Sequence, residues 1–291
     1  MSLSDRIATL AARAWIAGLR ALPPSRALET GARLGDVVRV AGVRRRVAEA
    51  NLALAFPERD AAERGTILCA HYRELGRVSA EYARLASLVH APGDEVVAEV
   101  QGLEHLIRAR DQGRGAILLT GHFGNFELLG AWLGRTHPVS FVVKPLSNPG
   151  MERWIAAQRA AAGVECVQLG AGMRGAFAAL RANRWVAMLA DQDARRAGVF
   201  VPFMGRAAST PVGPATLALR SGAPIVMGFD RRLADGRHRL TIEPRLEIPD
   251  RDAPDAVLRL TAAHTARLEA RVRESPEMWF WLHRRWKTSA P

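Results

Sequence analysis

This chain of 291 residues lacks several features that define common protein classes. Its two cysteines, Cys69 and Cys166, are too far apart for a zinc motif and too few for a disulfide framework, so we expect a reducing, cytoplasm-facing compartment. The longest stretch without a charged residue, 207–219, has 13 residues and contains two prolines. A membrane-spanning helix needs roughly 20 apolar residues, so the sequence predicts no spanning segment.

The common motifs of metal, nucleotide and covalent catalysis are also missing. The sequence has no His-Glu-x-x-His zinc helix, no Gly-x-Ser-x-Gly nucleophile elbow, no phosphate-binding loop that ends in Gly-Lys-Ser/Thr and no glycine fingerprint for a dinucleotide. We therefore predict neither a metal nor a cofactor. Without an obvious serine or cysteine nucleophile, we expect direct transfer between two substrates.

Acidic residues and lysine are scarce, and arginine is abundant. The net charge is +12, and the only lysines are Lys144 and Lys287. Such a charge attracts lipid headgroups, phosphates, acidic proteins or nucleic acid, although a GC-rich genome explains the same composition without any partner. The chain has neither an RNP-like motif nor a helix-turn-helix signature, so we predict no nucleic-acid partner.

The first 22 residues have the pattern of an amphipathic helix. Arg6, Arg13 and Arg20 recur every seven residues, which places them on one helical stripe, and apolar residues cover much of the rest. Such a helix can lie in a membrane interface with its arginines at the headgroups, or it can pack on its own protein. Residues 1–50 contain nine arginines and four acidic residues, which favours the membrane surface.

The N-terminal third is predicted to be helical because it is rich in alanine and arginine. Pro23 and Pro24 separate the first helix from the second, residues 51–57 are predicted as a turn, and a further helix is predicted over 60–89. A turn at 91–94 marks a boundary. We therefore expect a helical membrane-associating region over 1–90 and a second domain over 91–291.

From residue 96 onward, short apolar runs alternate with helical patterns. This alternation predicts an α/β fold with a mainly parallel central sheet flanked by helices. The predicted strands are 96–100, 116–120, 139–143, 164–168, 185–190, 223–228 and 238–248. The predicted helices are 103–111, 124–134, 150–162, 173–183, 211–221 and 254–273.

The segment Gly121-His122-Phe123-Gly124-Asn125-Phe126-Glu127 follows the apolar run 116–120 and carries the most chemical information. Ligands of α/β sheets bind at this end of the strands. Five residues of helix rotate by about 500°, so His122 and Glu127 meet only if His122 precedes the helix. Gly121 and Gly124 permit the tight turn that this requires.

This placement predicts a general base. His122 would take a proton from an attacking hydroxyl, and Glu127 would accept a hydrogen bond from its other ring nitrogen. Free N–H groups at the helix start would stabilise an oxyanion. The alternative is a buried structural histidine whose hydrogen-bonding requirement is met by a neighbouring carboxylate. The remaining histidines lie in no motif and are interpreted as structural or as surface residues.

Six blocks of sequence occur in a fixed order along the chain. They are His122–Glu127 as a His-x4-Asp/Glu box, 143–149, Arg159 ahead of Gly163, 190–193, 201–205 with Ser209-Thr210 after it, and 281–287. In these blocks the chain resembles the bacterial lipid A biosynthesis acyltransferases. These are the lauroyl/myristoyl (late) acyltransferases within the glycerolipid and lysophospholipid acyltransferase group. The resemblance covers about residues 40–288.

The resemblance implies an O-acyltransferase of lipopolysaccharide biosynthesis. It would move a fatty acyl chain from acyl carrier protein to a hydroxyl of a Kdo-bearing lipid A precursor, a glycolipid acceptor. It would work at the inner-membrane surface as a peripheral or monotopic protein on the cytoplasmic face. Another membrane lipid, such as a phosphatidylinositol mannoside or a lysophospholipid, is the alternative acceptor.

The resemblance also implies roles for particular residues. The catalytic residues would be His122 and Glu127, and the substrate-binding residues would be Asn125, Lys144, Asn148, Arg159, Asp191 and Asp193. Several of these have simpler interpretations: Lys144 and Arg159 as solvated charges, and Asp191 as a cap of the turn after its strand. Trp279, Trp281 and Trp286 are interpreted as core or interface residues.

Overall fold

The computed structural model describes residues 3–92, 94–168 and 173–290, with the backbone alone for residues 3–8 and 11. The described part is α/β, as predicted, with a mainly parallel seven-stranded sheet flanked by helices. Five helices precede the sheet: α1 (Leu3–Ala21), α2 (Pro24–Val40), α3 (Arg45–Ala55), α4 (Ala61–Tyr82) and α5 (Leu85–Val89).

The strands and the remaining helices alternate along the rest of the chain. The strands are β1 (Val97–Gln101), β2 (Ala116–Thr120), β3 (Val139–Val143), β4 (Glu165–Gln168), β5 (Trp185–Leu189), β6 (Val199–Phe203), β7 (Arg206–Thr210), β8 (Ile225–Arg232) and β9 (His238–Ile242). The helices are α6 (Leu103–Asp111), α7 (Phe126–Leu133), α8 (Pro149–Ala161), α9 (Arg174–Arg181), α10 (Gly213–Ser221) and α11 (Ala256–Glu274).

The order of strands in the sheet is β1-β9-β8-β2-β5-β3-β4. Strands β8, β2, β5, β3 and β4 are parallel to one another, while β9 pairs antiparallel to β8 and carries β1 with it. All five residues of the central strand β2 are buried, as expected where helices cover both faces of a parallel sheet. The carboxyl ends of β2, β5 and β3 therefore lie side by side at one edge.

Several sequence-based assignments were wrong. The helix predicted over 60–89 is divided into α4 and α5, and the strand predicted over 238–248 ends at Ile242. Residues 51–55, predicted as a turn, are the last residues of α3. Asn51 is buried there because its amide donates to the carbonyls of Trp281 and His283, at 2.7 and 2.6 Å. The antiparallel hairpin of β6 and β7 was not predicted.

Helix α1 packs on the protein over its second half. Ile16 and Leu19 are buried in one cluster with residues of α2 and α4. Arg20, predicted to face lipid headgroups, instead donates to the carbonyl of Ala83 and to Oε1 of Gln158, both at 2.6 Å. Arg13 is exposed, and the side chain of Arg6 lies outside the described part of the chain. None of the described helices is both long and apolar enough to cross a membrane.

Helices α2 and α4 touch backbone to backbone. A Cβ added to Gly31 would lie 2.3 Å from the carbonyl oxygen of Gly76, and one added to Gly35 would lie 2.0 Å from that of Tyr72. Only glycine permits this approach, so any larger residue at these positions must push the helices apart.

Candidate active site

The segment 121–125 joins the end of β2 to the start of α7. Gly124 has a φ of +55°, and a Cβ there would lie 2.3 Å from the carbonyl oxygen of Asp230. A Cβ on Gly121 would lie 2.9 Å from Oδ2 of Asp191. The two glycines therefore bring this turn against neighbouring strand ends, as the sequence predicted for a tight turn.

His122 is held by the carboxylate of Asp191. The distance from Nδ1 of His122 to Oδ1 of Asp191 is 2.7 Å, and the His122 amide donates to Oδ2 at 2.7 Å. Nε1 of Trp279 donates to the same Oδ2 at 2.8 Å. Asp191 follows β5, the parallel neighbour of β2, so the sheet itself brings the two residues together.

These contacts define the tautomer of His122. An ionised carboxylate only accepts hydrogen bonds, so the proton of the neutral ring is assigned to Nδ1 and the lone pair to Nε2. Nε2 of Gln192 lies 3.3 Å from Nε2 of His122, a distance at which the amide donates to that lone pair. The side chain of His122 is 25% exposed, so the basic nitrogen lies at the mouth of the site.

The pKa values of the pair move in opposite directions. Burial lowers the pKa of His122, but the charge and hydrogen bond of Asp191, with a smaller effect of the Glu127 charge, outweigh burial and raise it above its ordinary value. Burial raises the pKa of Asp191, but the positive charge of His122 and its hydrogen bonds outweigh this and lower the pKa to about 2. Asp191 thus stays ionised and stabilises an imidazolium.

The predicted hydrogen bond between Glu127 and His122 is wrong for this structure. Among the described residues, the partner of Glu127 is Arg159, which donates from Nη2 to Oε1 at 2.5 Å and from Nε to Oε2 at 3.1 Å. Glu127 lies in the first turn of α7 and points toward α8, where a guanidinium offers two parallel donors. Asp191 reaches His122 from the adjacent strand instead.

The C-terminal segment closes the other side of the turn. The amide of Gly124 donates to the carbonyl of Met278, and the amide of Phe280 donates to the carbonyl of His122, both at 2.9 Å. The rings of Phe126 and Phe280 flank the imidazole, with centroids 5.3 and 6.0 Å away. Two aromatic rings therefore border the catalytic imidazole.

Asn125, predicted to bind substrate, is fully buried and supports the turn. Its Oδ1 accepts the amide of Leu128 at 3.0 Å, which caps α7, and its Nδ2 donates to Glu81 at 2.8 Å. Its own amide donates to Oδ2 of Asp230 at 2.6 Å. These bonds hold the turn between β2 and α7 in place.

A buried ionic network continues behind Asn125. His238 lies between two carboxylates, with Nδ1 at 2.7 Å from Asp230 and Nε2 at 2.9 Å from Glu81. Nη2 of Arg232 donates to Glu81 at 2.7 Å, and its Nε donates to Glu74 at 2.8 Å. Burial lowers the pKa of His238, but the carboxylates outweigh it and raise the pKa to about 10.

Replacing His238 with leucine is expected to lower the free energy of unfolding by about 3–5 kcal/mol, because the variant removes the cation that lies between the buried carboxylates of Asp230 and Glu81. The His238 contribution to stability is complete below about pH 6.5 and is lost as pH rises toward about 10, since its pKa is higher in the folded than in the unfolded state. Urea unfolding at several pH values measures both effects.

His264 provides the matched control for this variant. It is also buried, but burial lowers its pKa to about 4, so it is neutral near pH 7. His264→Leu should therefore cost less stability and should leave the fall above pH 6.5 in place. Equal losses of unfolding free energy in the two variants would contradict a stabilising role for the ionic network.

The other predicted substrate-binding residues occupy different places. Asn148 caps α8, accepting the amides of Gly150 and Met151 at 2.9 and 3.2 Å. Lys144 is exposed at the end of β3, next to the site edge. Asp193 is buried beneath the C-terminal segment, where Oδ2 accepts from Thr288 at 3.0 Å. The structure thus unites His122 with Asp191 and Glu127 with Arg159, and it places Asn148, Lys144 and Asp193 outside both pairs.

A buried arginine lies behind Asp191. Arg285 is 1% exposed, and it donates to the carbonyl of Ser209 and to Oγ1 of Thr210, both at 2.5 Å. Burial lowers its pKa to about 10, against the opposing charges of Asp191 and Asp193. Its positive charge supports the ionised state of Asp191. As predicted, Trp279 and Trp281 are core residues, with rings 4.7 Å apart.

Sequence reasoning named Asp191 but missed its contact with His122, and it missed Gln192 and the network around His238. Asp191 directly follows a predicted strand, as His122 does, and parallel neighbours place such ends together. That signal was available, but sequence order alone does not show that β5 lies next to β2.

Comparison with known proteins identifies the family of the chain. A family profile described as bacterial lipid A biosynthesis acyltransferase matches residues 3–288. The chain is 30% identical to the lipid A biosynthesis palmitoleoyltransferase of Escherichia coli strain K12 over 264 residues, which covers 89% of this chain and 84% of that protein. It is 31% identical to the phosphatidylinositol mannoside acyltransferase of Mycobacterium tuberculosis strain H37Rv over 287 residues, which covers 94% of this chain and 87% of that protein.

Proposed function

Because the chain belongs to the bacterial lipid A biosynthesis acyltransferase family, we propose that it moves a fatty acyl chain from acyl carrier protein to a hydroxyl of a Kdo-bearing lipid A precursor. As an acyltransferase it uses an acyl donor and a lipid acceptor. The observation that carries the proposed mechanism is the His122–Asp191 pair, whose basic nitrogen lies at the mouth of a site flanked by apolar rings.

His122 acts as the general base. Its Nε2 removes the proton of the acceptor hydroxyl as the oxygen attacks the thioester carbonyl carbon, and Asp191 stabilises the imidazolium that results. Collapse of the tetrahedral intermediate breaks the carbon–sulfur bond, and the imidazolium returns the proton to the departing thiolate. A new ester and a free thiol are formed, and the histidine regains its starting state.

The start of α7 supplies donors for the oxyanion. The amides of His122, Gly124 and Asn125 are already used by Asp191, Met278 and Asp230. The amides of Phe126 and Glu127 have no acceptor within the described residues, so we assign the oxyanion to them. Preorganised amides at a helix N-terminus suit a developing negative charge.

Glu127 and Arg159 form the wall beside the base. Their bidentate pair fixes the first turn of α7 against α8, and the Glu127 charge raises the pKa of His122. Lys144 and the exposed arginines give the site edge a positive charge, which suits an acidic carrier protein and a phosphorylated acceptor. We place the enzyme on the cytoplasmic face of the inner membrane as a peripheral or monotopic protein.

An acceptor of another class is the second candidate, since the mycobacterial relative is as similar to this chain as the E. coli protein is. Purified protein should add one acyl chain to a Kdo-lipid A precursor with acyl carrier protein donors, measured by the mass of the product. A phosphatidylinositol mannoside, a lysophospholipid and acyl-coenzyme A serve as competing substrates. Turnover confined to the phosphatidylinositol mannoside or to the lysophospholipid would replace the lipid A precursor as the acceptor.

A further inference from the structure

The end of α2 and the turn that follows it expose three valines that are close together in sequence. We call this segment the valine–arginine tip, residues 37–46, with the sequence VVRVAGVRRR. Val37, Val40 and Val43 are 62%, 72% and 51% exposed, and among the other described large hydrophobic residues only Leu10, at 65%, is more than half exposed. Exposed apolar groups gathered in this way mark interaction sites.

The geometry of α2 directs these valines outward. Val37 and Val40 lie one helical turn apart on the same face, while Val38, between them, packs against the core. Val43 follows in the turn, after Gly42, whose φ is +77°. The three valines therefore face solvent together.

The charge of the tip has one sign. Residues 37–46 contain Arg39, Arg44, Arg45 and Arg46 and no acidic residue. Arg45 pairs with Glu49 at 2.7 Å. Within the described residues, the exposed side chains of Arg44 and Arg46 have neither a hydrogen bond nor an ion pair. The tip thus joins an apolar surface to two uncommitted guanidinium groups.

The core holds this tip in place. Gly31 and Gly35 clamp α2 against α4 by backbone contact. Oη of Tyr72, on α4, donates to the carbonyl of Val43 at 2.6 Å. Because α2 is anchored through its opposite face, the valines cannot turn into the core.

We propose that the valine–arginine tip docks the enzyme onto an anionic phospholipid bilayer, with the valines below the headgroups and the arginines on the lipid phosphates. Aliphatic side chains beside arginines suit a bilayer interface. The tip has no aromatic residue and no methionine, which protein–protein interfaces favour. The proposal rests on the proposed function only in that the enzyme meets its acceptor at a membrane.

Two tip variants test this proposal with vesicles of phosphatidylcholine and phosphatidylglycerol. The first carries Val37→Ser, Val40→Ser and Val43→Ser, and the second carries Arg44→Glu and Arg46→Glu. Each should lower the partition coefficient, measured by cosedimentation, by about tenfold or more. Vesicles of phosphatidylcholine alone should bind the wild-type protein more weakly.

Matched controls change the same chemistry elsewhere. Ile248→Ser with Leu258→Ser removes exposed aliphatic groups, and Arg108→Glu with Arg220→Glu makes the same change of net charge at exposed positions. These controls should bind vesicles like the wild type. All variants should keep wild-type turnover on acceptor in detergent micelles, which separates docking from chemistry.

Several outcomes would overturn the proposal. Vesicle binding that is unchanged in both tip variants, or reduced equally in the controls, would remove the tip as the docking surface. Loss of turnover with acyl carrier protein in micelles, with vesicle binding intact, would assign the tip to an acidic protein. A change of oligomeric state in the valine variant would assign it to a second copy. If the protein binds vesicles through the tip but acylates no lipid, the proposed function is refuted and the docking proposal stands.

Discussion

Replacing His122 with alanine is expected to lower kcat by at least about 10²-fold, the scale of a lost general base. The variant removes Nε2, the basic nitrogen at the mouth of the site, and Nδ1, the partner of Asp191. KM for the acceptor should change little, because the lost interaction acts in the transition state. Steady-state kinetics with a radiolabelled acyl donor measure both constants.

The fold should survive this substitution. The side chain of His122 is partly exposed, and Asp191 keeps the amide of residue 122 and the indole of Trp279 as donors. Circular dichroism should match the wild type. His90→Ala is the control, since His90 is exposed and outside the site. Wild-type kcat in His122→Ala would show that another group takes the proton.

The sheet and the catalytic turn could be predicted because local sequence specifies them. The apolar run of β2 is too short for a helix and ends at Gly121, so a strand and a turn followed directly. His122 lay in that turn by helical geometry alone. Strand β8 extends beyond its predicted end at residue 228 and includes Asp230 and Arg232. Charged residues argue against a buried strand, but here the buried network pairs both charges.

The partners within the site could not be predicted, because they depend on which strands and helices become neighbours. Asp191 is 69 residues from His122, and their contact requires β5 to pair with β2. Glu127 was the nearest carboxylate in sequence, but Arg159 on α8 takes it in space. The same limit applies to Arg20. The regular spacing of Arg6, Arg13 and Arg20 predicted contact with lipid, but Arg20 donates hydrogen bonds to a carbonyl and to a glutamine side chain.

Replacing Asp191 with asparagine is expected to lower kcat by about 10²–10⁴-fold while the fold persists, the scale seen when the orienting carboxylate of a catalytic histidine is lost. An asparagine amide can donate to Nδ1, which favours the tautomer with its proton on Nε2 and removes the base. The lost charge also lowers the pKa of His122, since Asp191 raises it in the wild type. The base is active when neutral, so the acid limb of the pH–rate profile should move to lower pH.

Glu127→Gln distinguishes this arrangement from one in which Glu127 orients His122. Its charge is the weaker cause of the raised His122 pKa, so the acid limb should move less than in Asp191→Asn. The larger effect should be on stability, because Arg159 is left as an unpaired, largely buried cation, and removing one partner of such a pair costs about 3–5 kcal/mol. Adding Arg159→Met should restore much of that loss. The opposite result would assign the orienting role to Glu127. In that case Asp191→Asn would keep the wild-type kcat and the wild-type position of the acid limb, and Glu127→Gln would change both.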